Sequence, residues 1–541
     1  MRRSATVLVL VLSRFAIGAP QEPPAFRADT RLVEINVIVR GKAGPVTNLN
    51  QGDFVLTDQG KARVISFFSA PAPAPASVQA VAQPLPANTF SSRAANMADV
   101  PPSVTMILLD RLNTFVSTSS SAGEESSVWN GDHALATAKQ HLLKLVDSLD
   151  PKERVAIYSL GESLTVLSDF TGDREELKSI INRYSATSIT SREVVEPNAD
   201  HVCHPNEDDC SIGARIDADR RMLAGMANAT RAQRTMTALL AIAAHASGIP
   251  GRKNLVWLTA NLPVSGETVG RAFSRSNVAV YPVDARGLAT TALGHSQWDD
   301  LKTQMSRNPA GAKVLSGSSG DTAQPAGISE MQIVAEETGG RAFVNTNDLT
   351  GAIRTAMDDG AATYTLGFYV DVNSLDGKFH DLKLRVKPGG LEVRTQKGYF
   401  ALKDVAAENS PAALLAIPMT SPLESSRIHV LARVERAADE LSVSASIDVR
   451  DLQLEQSGDE HKGAVEVYLV QQDAAGKTLE RGHQNFQLVL DRVHYEEDLK
   501  TGVFFRHVLR PKDGVKTLRV IAIDPVHATV GSVIIPLSEV K

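Results

Sequence analysis

The sequence predicts an α/β chain: a doubly wound, mostly parallel sheet set inside a β domain and followed by a β-sandwich. Three observations carry this. Between residues 102 and 360 strand-like apolar runs alternate with helical ones, the pattern of βαβ units. On either side, 28–69 and 362–402 hold short alternating strands, too few on each side to close a core alone. From 427 to 541 the apolar runs are all short and strand-like.

The 541 residues exceed what one core organises. Hydrophobic content of 43% and charged content of 22% are ordinary for a globular protein. Net charge is −6 with no basic block, which argues against a nucleic-acid binder, since that needs a cationic face.

Residues 1–19 read as an export signal. Arg2 and Arg3 form the charged start, 5–13 the apolar stretch, and small residues end it at Ala19. No later apolar run has the ~20 residues that span a bilayer. The mature chain is therefore expected outside the cytoplasm: periplasmic, surface-held or released.

RLVEINVIVR (31–40) alternates as a half-buried strand does, and DFVLTDQG (53–60) and ARVISFFS (62–69) follow as two more. Residues 70–101 are rich in Pro, Ala and Ser and read as an extended linker. VTMILLD (104–110) is a buried strand that stops at a carboxylate. HALATAKQHLLKLVDSL (133–149) is a helix, RVAIYSL (154–160) and LTVLSDF (164–170) are strands, and DREELKSIINRY (173–184) is a helix with acids in its first turn. A helix at 231–249 leads to strands NLVWLT (254–259) and NVAVYPVD (277–284). Helices at 329–338 and 348–360 flank a strand, RAFVN (341–345). Insertions at 185–215 and 287–328 interrupt the pattern. Strands return in 362–402, and three on each side of the α/β unit make six if they pair, so the α/β unit is read as an insertion in one β domain. Residues 403–426 read as a second linker. Seven strand-like runs in 427–541 predict an immunoglobulin-like sandwich.

In an open α/β sheet, ligands bind beyond the carboxyl ends of the strands. Asp110 is therefore the first candidate site residue. Asn113 and Thr114 follow in the same turn, and Asn261 lies on the loop after NLVWLT. The alternative is that Asp110 and Asn113 only cap their turn. GIPGRKN (248–254) reads as a solvated basic turn, Asp284 as a rim carboxylate or a turn cap, and Gly339-Gly340 as a helix stop. The only cysteines, Cys203 and Cys210, are expected to form a disulfide in an exported protein. His201, His204, Asp208 and Asp209 beside them offer a zinc or copper site instead, without standard paired-ligand spacing. No nucleophile elbow, H-E-x-x-H, Walker loop or strand-anchored G-x-G-x-x-G is present, so a non-enzyme is expected.

The segments FRADTRLVEINVIVR, LLDRLNT, GIPGRKNLVWLT, NVAVYPVDARGL, AEETGGRAFVNTNDL and YTLGFYV through GYF occur in order over residues 26–402. In them the chain resembles the acidobacterial VWFA-related family, a branch of the von Willebrand factor type A (VWA) proteins. The resemblance implies a metal-ion-dependent adhesion site: Asp-x-Ser-x-Ser after the first strand, a threonine from a second loop, and an aspartate after strand four. Mg²⁺ there takes near-octahedral oxygen ligands and keeps an open position for an acidic partner group. On this pattern Asp110 matches the aspartate and Thr114 the second serine. Leu112 replaces the first serine, and Ala260 stands where the strand-four aspartate belongs, with Asn261 the nearest oxygen. Thr187, Thr235 and Thr237 are all candidates for the second-loop threonine. The resemblance thus implies a Mg²⁺ or Ca²⁺ site of reduced affinity, or none, and protein or matrix binding at the rim. A metal-independent scaffold of a cell-envelope assembly, and a hydrolase with its site in the two insertions, are the alternatives.

Overall fold

The computed structural model describes residues 30–71, 85–92, 103–114, 131–150, 152–185, 210–287, 327–401 and 410–541. The expected signal at 1–19, Cys203, the side chain of Cys210 and hence the expected disulfide, the 201–209 cluster, Thr187 and most of the 287–328 insertion lie outside the described residues.

The α/β unit begins at β1 (Ser103–Asp110), every residue of which after Ser103 is buried. It continues through α1 (Gly131–Asp147), β2 (Val155–Leu160), β3 (Leu164–Thr171), α2 (Arg174–Arg183) and α3 (Cys210–Ala246). β4 (Arg252–Thr259), α4 (Gly266–Arg275), β5 (Val278–Asp284), α5 (Ile328–Thr338) and α6 (Leu349–Ala361) complete it. The sheet order is β5-β4-β1-β2-β3, with β3 alone antiparallel to its neighbour. The chain leaves β1 toward β2 on one side and returns to β4 on the other, so the topological switch lies between β1 and β4. One face packs Met106, Leu108 and Trp257 under α3, α4 and α5 through Ile242, Phe273 and Val334. The other packs Ile107, Val256 and Tyr281 under α1, α2 and α6 through Leu142, Ile181 and Ile353. Asp173 caps α2 by accepting from the backbone N–H of Glu175 and Glu176. Gly266 and Gly270 let α5 lie directly on α4; a Cβ at Gly270 would stand 2.1 Å from Glu337 Oε2.

The flanking β segments pair with each other. Thr30–Gly41 runs antiparallel to Thr363–Asp371, with Ile35 opposite Leu366, and to Glu392–Thr395 on its other side. Phe54–Asp58 pairs with Phe379–Val386 in a second sheet. Alternation puts Val33, Ile35, Val37 and Val39 into a core with Phe54, Leu56, Tyr364 and Phe368. The opposite face of Thr30–Gly41 meets the α/β unit: Asn36 donates to the Asn277 side chain, and Arg40 reaches Asp359 at 2.8 Å. Asp359 is wholly buried at the end of α6 and also takes Arg394 and the Tyr281 hydroxyl.

The C-terminal module is two sheets around one apolar core. All seven expected runs form strands. Two more were not anticipated. Glu455–Ser457 is a short strand, and Thr89–Ser91, inside the expected 70–101 linker, pairs antiparallel with Arg433 to Leu431. The 89–91 strand was illegible because its composition is linker-like and its partner lies over 300 residues away. The expected 403–426 linker likewise holds a helix, Pro411–Thr420, started by Ser410 and proline, whose Leu415 packs with Tyr468, Val470 and Ile521. A helix at Arg492–Thr501, capped by Asp491, interrupts a region read as all strand. The strand expected at 341–345 reduces to one bridge, Phe343 to Val283. The end of the first insertion belongs to α3, which starts at Cys210.

Residues 421–426 lock this module to the α/β unit. His245, at the end of α3, bonds the Glu424 carbonyl through Nδ1 at 2.9 Å, and Ser426 Oγ donates to the His245 carbonyl. A Cβ on Gly248 would lie 1.8 Å from the Ser426 carbonyl oxygen, so only glycine fits there. Glu424 accepts from Ile534 N–H at 2.8 Å, yet burial pushes its carboxyl up to about 7. Burial opposes charge on His245, but the Asp169 carboxylate and the Glu424 carbonyl outweigh it and raise that pKa as well.

Two predictions follow from these contacts. Asp359→Asn leaves Arg40 and Arg394 without their shared counter-charge at a buried seam and is expected to cost about 3 kcal/mol in chemical denaturation. The folded state holds the Glu424 proton to about 7 against 4.5 for the free group, so the stabilisation is complete below 4.5 and lost as pH rises through 7. The melting temperature should therefore fall between these pH values, by up to roughly 3 kcal/mol of stability, and Glu424→Gln should flatten that slope.

Candidate functional site

β1 ends at the switch point, and its last residue turns a carboxylate into the gap between β1, α3 and β4. Asp110, Asn113 and Thr114 are all fully buried. Asp110 Oδ1 accepts from the Asn113 backbone N–H at 2.9 Å. Asp110 Oδ2 accepts from Asn113 Nδ2 at 2.7 Å and from the Trp257 indole at 3.0 Å. The same Asn113 amide donates to Thr235 Oγ1 on α3 at 2.9 Å. Thr235 spends its own proton on the Arg231 carbonyl at 2.9 Å. It can therefore only accept from Asn113, which fixes the amide's orientation. Asn113 Oδ1, on the far side of the amide, is buried without a hydrogen-bond partner.

Thr114 Oγ1 accepts from Ala260 N–H at 3.2 Å, tying the β1 loop to the β4 loop. Asn261 is half-buried, exchanges bonds with Thr259, and packs against Gly327 at the start of α5. Burial raises the Asp110 pKa, while bonds from Asn113, Thr259 and Trp257 pull it down. Arg231, one turn before Thr235, is also buried; burial lowers its pKa and the Asp110 charge opposes that.

The three residues of the β1 turn are thus brought together, and Asn261 sits on the adjoining loop. Of the threonine candidates, Thr235 joins the site, whereas Thr237 is exposed and bonds only back along its helix to Gln233. Trp257 and Thr259 were missed in the sequence. The indole was the available signal: a tryptophan N–H in an otherwise apolar buried strand needs an acceptor, and the adjacent strand ends in a carboxylate. Asp284 is the cap of its own turn, held by Arg286 at 2.8 and 2.9 Å and by its N–H at 3.0 Å. The tip of the 248–254 turn, Pro250 and Gly251, is exposed, but its basic residues are not solvated. Arg252 is buried against Asn254, Tyr281 and the Gly339 carbonyl, and Lys253 donates to the Ile249 carbonyl. Burial, and then the nearby Arg427, push Lys253 down to about 8.

Asn113→Ala should cost about 3 kcal/mol, because it strips bonds from a buried carboxylate. Thr237→Ala should stay within about 0.5 kcal/mol. Urea denaturation of both variants checks the contrast.

No protein-family model matches the chain, and no curated protein does. Solved structures similar to it include VWA domains. A von Willebrand factor type A protein from Catenulispora acidiphila is 10% identical over 70% of this chain and 76% of its own, with a TM-score of 0.26. An aerotolerance-related membrane protein from Bacteroides fragilis, carrying multiple mutations to serines, is 14% identical over 47% of this chain and 98% of its own, also at 0.26. Proximal thread matrix protein 1 of the mussel byssus is 11% identical over 50% of this chain and 48% of its own, at 0.24. At these TM-scores nothing about activity passes from them to this chain, and the α/β architecture rests on its own strand order.

Proposed function

We propose that this is an exported VWA-type protein of the acidobacterial VWFA-related kind, binding a protein or matrix partner through the rim of its α/β unit. The observation that carries the reading is the convergence of Asp110, Thr114, Thr235 and the Ala260–Asn261 loop at the switch between β1 and β4. That is where an open α/β sheet offers a ligand crevice. The buried side chains do not touch a partner themselves. They hold two loops in one shape, and the partner meets the loop surfaces, with Asn261 among the groups it reaches. Preorganised loops lose little freedom on binding, which favours affinity. No helix among the described residues is long and apolar enough to cross a membrane.

The second reading is a scaffold within a cell-envelope assembly. It draws on the buried seams at Asp359 and Glu424, which hold three modules together without reference to the rim.

The test is affinity capture of envelope and matrix fractions on immobilised protein, with the captured partner then purified and titrated. Asn261→Arg should weaken that partner by ~10-fold or more, about 1.4 kcal/mol, while melting as wild type does. Equal affinity for Asn261→Arg would favour the scaffold.

A further inference from the structure

We infer that the Asn113 side-chain amide occupies the place of the cation that the adhesion-site resemblance implies, so that this rim is built closed to divalent ions. This deepens the rim reading and rests on it for where an ion would sit.

A hard divalent cation needs oxygen lone pairs turned toward one point. Here the lone pairs of Asp110 are already turned toward N–H groups: the Asn113 backbone at 2.9 Å, the Asn113 amide at 2.7 Å and the Trp257 indole at 3.0 Å. The Asn113 nitrogen bridges Asp110 Oδ2 and Thr235 Oγ1, the two oxygens an ion at this rim would share. An amide NH₂ carries partial positive charge and two directed donors, and it satisfies both oxygens at once. The Thr114 hydroxyl is engaged as well, by the Ala260 N–H. Flipping the amide would set Asn113 Oδ1 against the Asp110 carboxylate and would leave Thr235 without a donor. The knot is therefore directional. An ion between Asp110 Oδ2 and Thr235 Oγ1 would have to displace the Asn113 amide, and it would find Leu112 and Ala260, with no side-chain oxygen to offer, at two of the implied ligand positions.

A consequence follows for the partner. With no ion to bridge an acidic side chain, binding at this rim proceeds by surface complementarity and survives chelation.

The test separates a plugged site from one that merely lacks ligands. Mn²⁺, Mg²⁺ and Ca²⁺ are titrated calorimetrically into the full mature chain, each trace read as the difference from Asp110→Asn, so that ions held elsewhere cancel. The wild type should show no difference. Leu112→Ser, which returns a hydroxyl, should remain metal-free because the amide is still in place. Leu112→Ser combined with Asn113→Ser should bind Mn²⁺ at least ~10-fold more tightly than Leu112→Ser alone, with thermal melts confirming that both fold. Mn²⁺ binding by the wild type, or by Leu112→Ser alone, overturns the inference. So does a folded double variant as metal-free as the single one. Should the double variant fail to fold, Leu112→Ser combined with Asn113→Ala, which removes the amide and adds no ligand, is titrated in its place and read by the same criterion. Metal binding tests the amide; partner capture tests the rim, so the two can fail separately.

Discussion

The pairing of Thr30–Gly41 with Thr363–Asp371 is the constraint on which the rest of the α/β unit's placement depends. These strands are separated by over 300 residues of chain, and closing so long a loop is unfavourable unless what lies between is already compact. The α/β unit supplies that compactness, and its last helix delivers Asp359 one turn before the returning strand. There the buried carboxylate meets Arg40 from the outgoing strand and Arg394 from its other neighbour. One carboxylate thus couples two strands of the β domain to the sheet through Tyr281, which Arg252 also bonds. The Asp359, Arg40 and Arg394 charges are tolerable because they pair with one another, which a buried charge requires.

The same logic governs the opposite end of the sheet, with a different outcome. Asp110 is buried as completely as Asp359, but its bonds come from an amide, an indole and a backbone N–H. A carboxylate held by neutral donors keeps its geometry while its pKa drifts upward under burial. The Asp110, Thr114 and Thr235 oxygens are accordingly engaged inside the rim, and Asn113 Oδ1 is the buried polar atom there that has no hydrogen-bond partner. Between the two ends, Trp257 and Tyr281 lie on neighbouring strands and face opposite sides of the sheet, one reaching up to Asp110 and the other down to Asp359.

The C-terminal module is held by a third seam, in which Glu424, Ser425 and Ser426 thread between α3 and the strand Thr529–Pro536. Its partners are mainly backbone groups, and backbone groups leave no mark on composition. That is why 403–426 read as a linker and why the 89–91 strand was invisible. A short edge strand with a remote partner has no local periodicity to betray it.

Features that repeat locally were legible in the residues alone. Continuous apolar runs and helical apolar spacing placed the five strands β1 to β5 and most of the helices, and the carboxylate at the end of β1 marked the candidate site, because burial pattern and strand ending are properties of contiguous residues. Counting strands also pointed to the insertion, since half a sandwich cannot bury its face. Partner choice came from packing: Thr235 over Thr237, the indole of Trp257 on Asp110, Arg252 turned inward, Gly248 under Ser426. These two threonines carry the same side chain two residues apart on one helix, and no local signal separates them. They differ only in which face the packing of α3 against β1 and β4 buries, and that is settled by residues more than a hundred positions away.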